Sequence, residues 1–156
     1  MPTLRIASFN IEWMNDWFSN DAEPAAFIPS FIKDGHISNT DEVASRAAAT
    51  IKEIDPDILA IQEGPSRPDE MAIFIQTYLS NNGFPMYNFI LSDSGRDQKL
   101  AILYKPNTFD SLKLAPHSDI LNLTSEWLTD IDGDEHLEIY QFTRLPLVIN
   151  VKIKRT

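Results

Sequence analysis

The chain contains no cysteine, which excludes disulfides, thiolate-held zinc and a cysteine nucleophile; any metal it binds must be held by oxygen or imidazole. Positive charge is scarce, with 13 Lys and Arg against 23 Asp and Glu and a formal net charge of −10 at pH 7. That balance repels polyanions at long range, so nonspecific binding to nucleic acid by this chain is disfavoured. Long hydrophobic runs are missing too. Charge or proline interrupts every apolar stretch well before the ~20 residues of a bilayer-spanning helix. Met1-Pro2-Thr3-Leu4-Arg5-Ile6 leads into a strand-like stretch without the pattern of a signal peptide. The expectation is a protein with no membrane span, cytoplasmic by default. What is present is an ordinary globular composition, 156 residues with 43% apolar and 23% charged, sufficient for a single domain over 1–156 with its own core.

Thr3 to Asn10 is an apolar run without Gly or Pro and reads as a first strand. Glu12 to Ser38 mixes Trp13, Met14, Trp17, Phe18, Phe27, Ile28, Phe31 and Ile32 with Pro24, Pro29 and Gly35, so it reads as a structured insertion whose helices are short. Thr40 is placed to cap a helix to Ile54, with Val43, Ala47, Ile51 and Ile54 on one stripe and Asp41 and Glu42 in the first turn. Asp55-Pro56-Asp57 stops it. Ile58-Leu59-Ala60-Ile61 follows as a strand covered on both faces, ending at Gln62-Glu63-Gly64. A second helix starts at Pro68, carries Met71, Phe74, Ile75, Tyr78 and Leu79 at helical spacing, and ends before Gly83. Met86 to Ser92 and Lys99 to Lys105 read as a hairpin, and Phe109 to Ala115 as a further strand. His117 to Leu128 is ambiguous between weak helical spacing and loop. Asp132-Gly133 signals a hairpin turn, and Leu145 to Lys154 alternates as a strand with one buried face. The fold class is α/β, a mixed sheet with helices on one face.

Polar groups that a purely architectural sheet does not need stand at three strand ends: Asn10 and Glu12, Glu63, and Arg144. In α/β sheets the crevice beyond the carboxyl ends of strands is the usual ligand position. An Asn amide oxygen with carboxylates forms a hard oxygen shell suited to magnesium or calcium, magnesium fitting better because two or three protein oxygens leave room for water and phosphate. Against this stands the plain alternative that Asn and Glu at strand ends cap turns. Trp13, Trp17 and Phe18 are either core residues or the walls of a substrate approach beside Asn10. His36, His117 and His136 carry no pattern and receive no role. Asp130-Ile131-Asp132-Gly133-Asp134-Glu135 fails as a calcium loop: Gly133 comes too early, and Gln141 stands where a bidentate Glu should close it.

Leu4-Arg5-Ile6-Ala7-Ser8-Phe9-Asn10-Ile11-Glu12-Trp13 resembles the opening strand of the endonuclease/exonuclease/phosphatase (deoxyribonuclease I-like) family, and Pro56-Asp57-Ile58-Leu59-Ala60-Ile61-Gln62-Glu63 resembles its second motif. Gln98-Lys99-Leu100-Ala101-Ile102-Leu103-Tyr104 is similar to the strand after the family's variable loop, and Phe142-Thr143-Arg144-Leu145-Pro146-Leu147 to its Arg-containing segment. The resemblance implies a metal-dependent phosphoesterase, whether phosphodiesterase, nuclease or phosphatase. Asn10, Glu63 and Glu12 would hold magnesium, alternatively manganese or calcium, and Arg144 would contact the substrate phosphate. It also implies a four-layer sandwich of two sheets, of which this chain supplies about half. The family's later His, Gly-Asp-Phe-Asn-like and Ser-Asp-His-like motifs do not occur here, so no catalytic set is complete and the chain alone is expected to be nearly inert. An exposed sheet face would then favour homo-oligomers. Two alternatives stand beside this reading: a noncatalytic interaction module on the same half-fold, and a mixed α/β domain unrelated to phosphate chemistry.

Overall fold

In the computed structural model, residues 3–93, 97–115, 127–129, 138–140 and 146–154 are described. In chain order the strands and helices are β1 (Ile6–Asn10), β2 (Ser30–Lys33), β3 (His36–Asn39), α1 (Thr40–Ile54), β4 (Ile58–Gly64), α2 (Pro68–Tyr78), β5 (Ser80–Asn81), β6 (Phe84–Pro85), β7 (Asn88–Leu91), β8 (Lys99–Tyr104), β9 (Phe109–Leu114), β10 (Trp127–Thr129), β11 (Glu138–Tyr140) and β12 (Ile149–Ile153). A 3-10 turn at Met14–Trp17 follows β1.

Four strands form the central sheet in the order β1-β4-β8-β7. β1 runs parallel to β4, while β8 is antiparallel to both β4 and β7, so the sheet is mixed as the sequence predicts. The parallel pair requires a crossover, and α1 supplies it. Its inward stripe is Ala44, Ala47, Ala48 and Ile51, and the small side chains let the helix lie close to the sheet. Buried residues of α2, chiefly Met71, Phe74 and Ile75, join the same core as Leu59, Ile61, Ala101 and Leu103. The Tyr78 hydroxyl donates to Asp41 Oδ1 at 2.8 Å and ties the two helices together. Partial burial, with the neighbouring carboxylate, pushes the Tyr78 pKa up to about 12.

Local chemistry sets the helix ends. Asn39, not Thr40, is the cap of α1: its Oδ1 accepts from the Glu42 amide at 3.0 Å, and Thr40 is the first helical residue. At the start of α2, the buried Glu70 carboxylate reaches back to accept from the amides of Ser66 and Arg67 at 2.9 and 3.0 Å. These bonds satisfy amides that the helix itself leaves unpaired.

The insertion is structured and its one helical element is short, as its prolines and glycine imply. Beyond the one 3-10 turn it contains a β2–β3 hairpin, closed by Asp34 and Gly35 with φ of 49° and 78°. Asp-Gly is a two-residue turn signal that fits the twist of paired strands. Gly83 likewise belongs to a tight turn, with Asn82, between β5 and β6, and does not cap α2.

The second face of the central sheet is partly covered. β9 and β12 pair antiparallel as a ribbon. Phe109, Leu112, Leu147 and Ile149 pack with Ile58, Ala60, Ile90, Ile102 and Tyr104, while Ile6 stays 65% exposed and Val151 and Ile153 are also exposed. The helices therefore occupy one face and the ribbon the other. β10 and β11 pair antiparallel on either side of the Asp132-Gly133 segment. That turn, the acidic segment 130–135, most of 117–128 and Arg144 lie outside the described residues.

Candidate functional site

β1 and β4 run side by side to a common end, with Asn10 opposite Gln62 in the register. Glu63 is the next residue, and regular pleating would turn it to the face opposite Gln62. Its φ of 56° breaks the alternation, and the pairing of β4 with β8 shifts register between Ile61 and Gly64. The Glu63 carboxylate thereby meets Asn10: Nδ2 donates to Oε1 at 3.1 Å. Glycine at position 64 suits the same bulge, because a Cβ there would sit a tight 3.0 Å from the Lys99 carbonyl oxygen.

The chain leaving β1 curls back onto this pair. Glu12 and Trp13 have φ of 59° and 60°, the left-handed region that costs an L residue about 1–2 kcal/mol each. The Glu12 amide donates to Asn10 Oδ1 at 2.9 Å, and the Trp13 amide to Glu63 Oε2 at 3.2 Å. Each Glu63 oxygen thus accepts one hydrogen bond, which by itself staples the two strand tips. Lone pairs are left over on both carboxylate oxygens and on Asn10 Oδ1. The Glu12 carboxylate is ion-paired to Lys33 of β2.

Asn10 and Glu63 therefore meet at the strand tips, while Glu12 joins them through its backbone amide and turns its carboxylate to Lys33. Trp17 is fully buried in the core, Phe18 is buried but lines the neighbouring cavity, and Trp13 is 47% exposed at the tip. Arg144, the expected phosphate contact, lies outside the described residues. Sequence reasoning missed Lys33, whose position follows from the Asp34-Gly35 turn signal. It also missed a cavity of about 650 Å³ beside the tips, lined by Asn15, Asp16, Ser30, Ser66 and Asp97 among others. Asn15 Oδ1 is buried there without a hydrogen-bond partner among the described residues. Burial raises the pKa of Asp16, an effect partly offset by the Lys33 charge and by the hydrogen bond from Asn15.

The donor chemistry suits a hard divalent cation. One carboxylate with free lone pairs, an amide oxygen and a second carboxylate make an oxygen set of the kind magnesium uses when waters and a phosphate complete its shell. The set is thin. Among the described residues no group of three or more His, Cys, Asp or Glu side chains is placed to hold a metal. Glu12 can join only by giving up Lys33. No protein-family model, curated protein or solved structure matches the chain. Geometry and motifs alone carry the functional argument.

Proposed function

We propose that this chain carries the metal-binding part of a divalent-metal-dependent phosphoesterase of the endonuclease/exonuclease/phosphatase type. The observation that supports it is the convergence of Asn10 and Glu63 at the carboxyl ends of two parallel strands, where α/β sheets place their ligands. In this reading Glu63 and Asn10 Oδ1 hold magnesium, with Glu12 as a further oxygen donor. Manganese or calcium would suit the same oxygens. The bound ion offsets charge on phosphoryl and leaving oxygens. The chain's own residues contribute orientation: the Asn10 amide and the Trp13 N–H fix the Glu63 carboxylate from two sides, so its free lone pairs are held in one direction. Arg144 would grip phosphate oxygens in a bidentate manner. Without a water-orienting Asp or a transition-state His, the chain alone would lose factors of ~100 or more for each missing group.

A second reading has its own observation. Glu63 is already engaged twice and Glu12 is neutralised by Lys33, as in a closed structural staple on a noncatalytic interaction module. Calorimetric titration with magnesium separates the two. The phosphoesterase reading expects binding heat in the parent protein and none in Glu63→Gln, which keeps an acceptor for the staple but removes the charge. Equal heats, or none in either protein, favour the module.

A further inference from the structure

The central sheet ends at β7, whose outer edge is a row of unused backbone groups. Ser92 follows β7 opposite Leu100, and its amide donates to the Leu100 carbonyl at 2.9 Å. In an antiparallel ladder such bonded positions alternate along the strand. Ile90 and Asn88 therefore turn their amides and carbonyls to β8, while Phe89 and Leu91 turn theirs outward. Among the described residues nothing bonds to those outward groups, and β8 is the one strand paired with β7. Sheet edges are ordinarily blunted by lysine, proline or a bulge, and Asn88-Phe89-Ile90-Leu91 has none of these.

Beside this edge, α2 and β7 border a cavity of about 610 Å³ whose walls include Ala72, Ile73, Ile75, Pro85, Tyr87 and Phe89. A strand laid along β7 would bond to Phe89 and Leu91, and its residues opposite them would point, as Phe89 and Leu91 do, to the helix side of the sheet. Apolar side chains suit that wall. Neither α2 nor β7 carries a lysine or arginine, Asp93 stands exposed just past β7, and the whole chain bears a formal charge of −10. A second copy would bring the same negative charge, so charge complementarity favours a basic occupant.

We propose that β7 and α2 form a docking groove for an extended basic segment of a partner protein, with Lys or Arg alternating with aliphatic residues, which adds to the sheet as a fifth strand. The aliphatic side chains enter the cavity beside α2, and the basic ones turn away from it. The groove shares no residue with the strand tips, so it stands or falls independently of the metal reading.

The test titrates the full chain with an end-capped octapeptide of alternating Lys and Val, and with its Glu and Val counterpart as the charge control. The Lys-Val peptide is expected to bind at least about tenfold tighter than the control. Amide hydrogen exchange followed by NMR reads the geometry directly. At saturating peptide the Phe89 and Leu91 amides are expected to slow by about tenfold or more, and the Ile90 amide, already bonded to β8, by less. Ala72→Arg narrows the groove from an exposed helix position and is expected to weaken binding about tenfold, whereas Thr77→Arg makes the same charge change on α2 outside the lining and costs about threefold at most. Thermal melts of both variants without peptide confirm that the fold is intact. No binding of the Lys-Val peptide, equal binding of the control, equal losses in the two variants, or protection that favours neither outward amide overturns the proposal. Protection of Phe89 and Leu91 that appears without peptide and grows with protein concentration overturns it too, since a second copy would then hold the edge.

Discussion

The central sheet has a polar cluster at each end of β4, and the two are built differently. At the start of β4, Asp57 Oδ2 accepts from the Arg5 amide at 2.9 Å, and Lys105 Nζ lies 2.7 Å from Asp55 Oδ1 and 3.8 Å from Asp57 Oδ1. The Arg5 guanidinium donates to the Ile54 carbonyl at the end of α1. Two cations and two carboxylates stand at that end, Lys105 ion-paired to both Asp55 and Asp57 and Arg5 bound to a helix-end carbonyl, and the left-handed residue, Asp55, is the C-cap of a helix. At the far end of β4, Lys33 is paired with Glu12 and acts on Asp16, Glu63 accepts only from Asn10 and the Trp13 amide among the described residues, and three non-glycine residues, Glu12, Trp13 and Glu63, hold left-handed backbones. Trp13 stands at the start of the short 3-10 turn without a side-chain cap bond, and Glu12 and Glu63 cap no helix. Charge balance with ordinary caps marks an end that holds the fold together. Uncompensated acid on a strained backbone marks an end shaped for something else.

If this contrast is physical, substitutions at the two ends have crossed effects. The largest is expected from Asp57→Ala, which strips acceptors from the Arg5 amide and Thr108 hydroxyl and leaves Lys105 with one carboxylate partner. Loss of a partly buried acceptor of that kind costs about 1–3 kcal/mol, read by urea denaturation, with magnesium binding unchanged. Glu63→Gln should abolish magnesium heat and, because its amide nitrogen cannot accept from the second donor, lower stability by about 1 kcal/mol, less than Asp57→Ala. A large stability loss in Glu63→Gln would put both ends in the same structural class and erase the contrast.

A smaller effect sharpens the argument from strain. Trp13→Gly removes a left-handed penalty of about 1–2 kcal/mol and adds back roughly 0.5–1 kcal/mol of glycine entropy. A net gain of a few tenths to about 1 kcal/mol is expected, with the Trp13 amide still donating to Glu63. A loss of stability would mean that the partly exposed indole is doing more packing than its 47% exposure suggests.

The smallest effect concerns Asp16, whose folded pKa lies above the ordinary value of 3.8 because burial disfavours its charge. The folded state holds that proton more tightly than the unfolded one. The contribution of this one group to stability is therefore fully present below pH 3.8 and is lost as pH rises through the raised folded value. Asp16→Asn should accordingly raise the melting temperature at pH 7 and leave it unchanged at pH 3. Equal shifts at both pH values would show that charge is not the cause.

The sequence makes much of this legible, through patterns that repeat at short range. The Val43–Ala47–Ile51–Ile54 stripe, the Asp55-Pro56 stop and Pro68 place α1, β4 and α2 nearly to the residue. Asn10 and Glu63 can be singled out because polar residues closing apolar runs stand out in one dimension. The cap of α1 slipped by one residue because Asn39 and Thr40 are both competent caps, and only the backbone angle at Asn39 chooses between them. The β2–β3 hairpin was legible in Asp34-Gly35 but masked by the aromatic residues and prolines before it.

By itself, then, the amino-acid order determined which segments are helix or strand and which polar residues end them, since periodicity and turn chemistry act over a few neighbouring residues. Tertiary structure alone decided that Glu63 turns to Asn10's side, that Lys33 reaches Glu12, and that a β9–β12 ribbon covers the face away from the helices. Those outcomes depend on a bulge, a hairpin and pairings between residues far apart in the chain, and no local pattern encodes where two distant strand ends will meet.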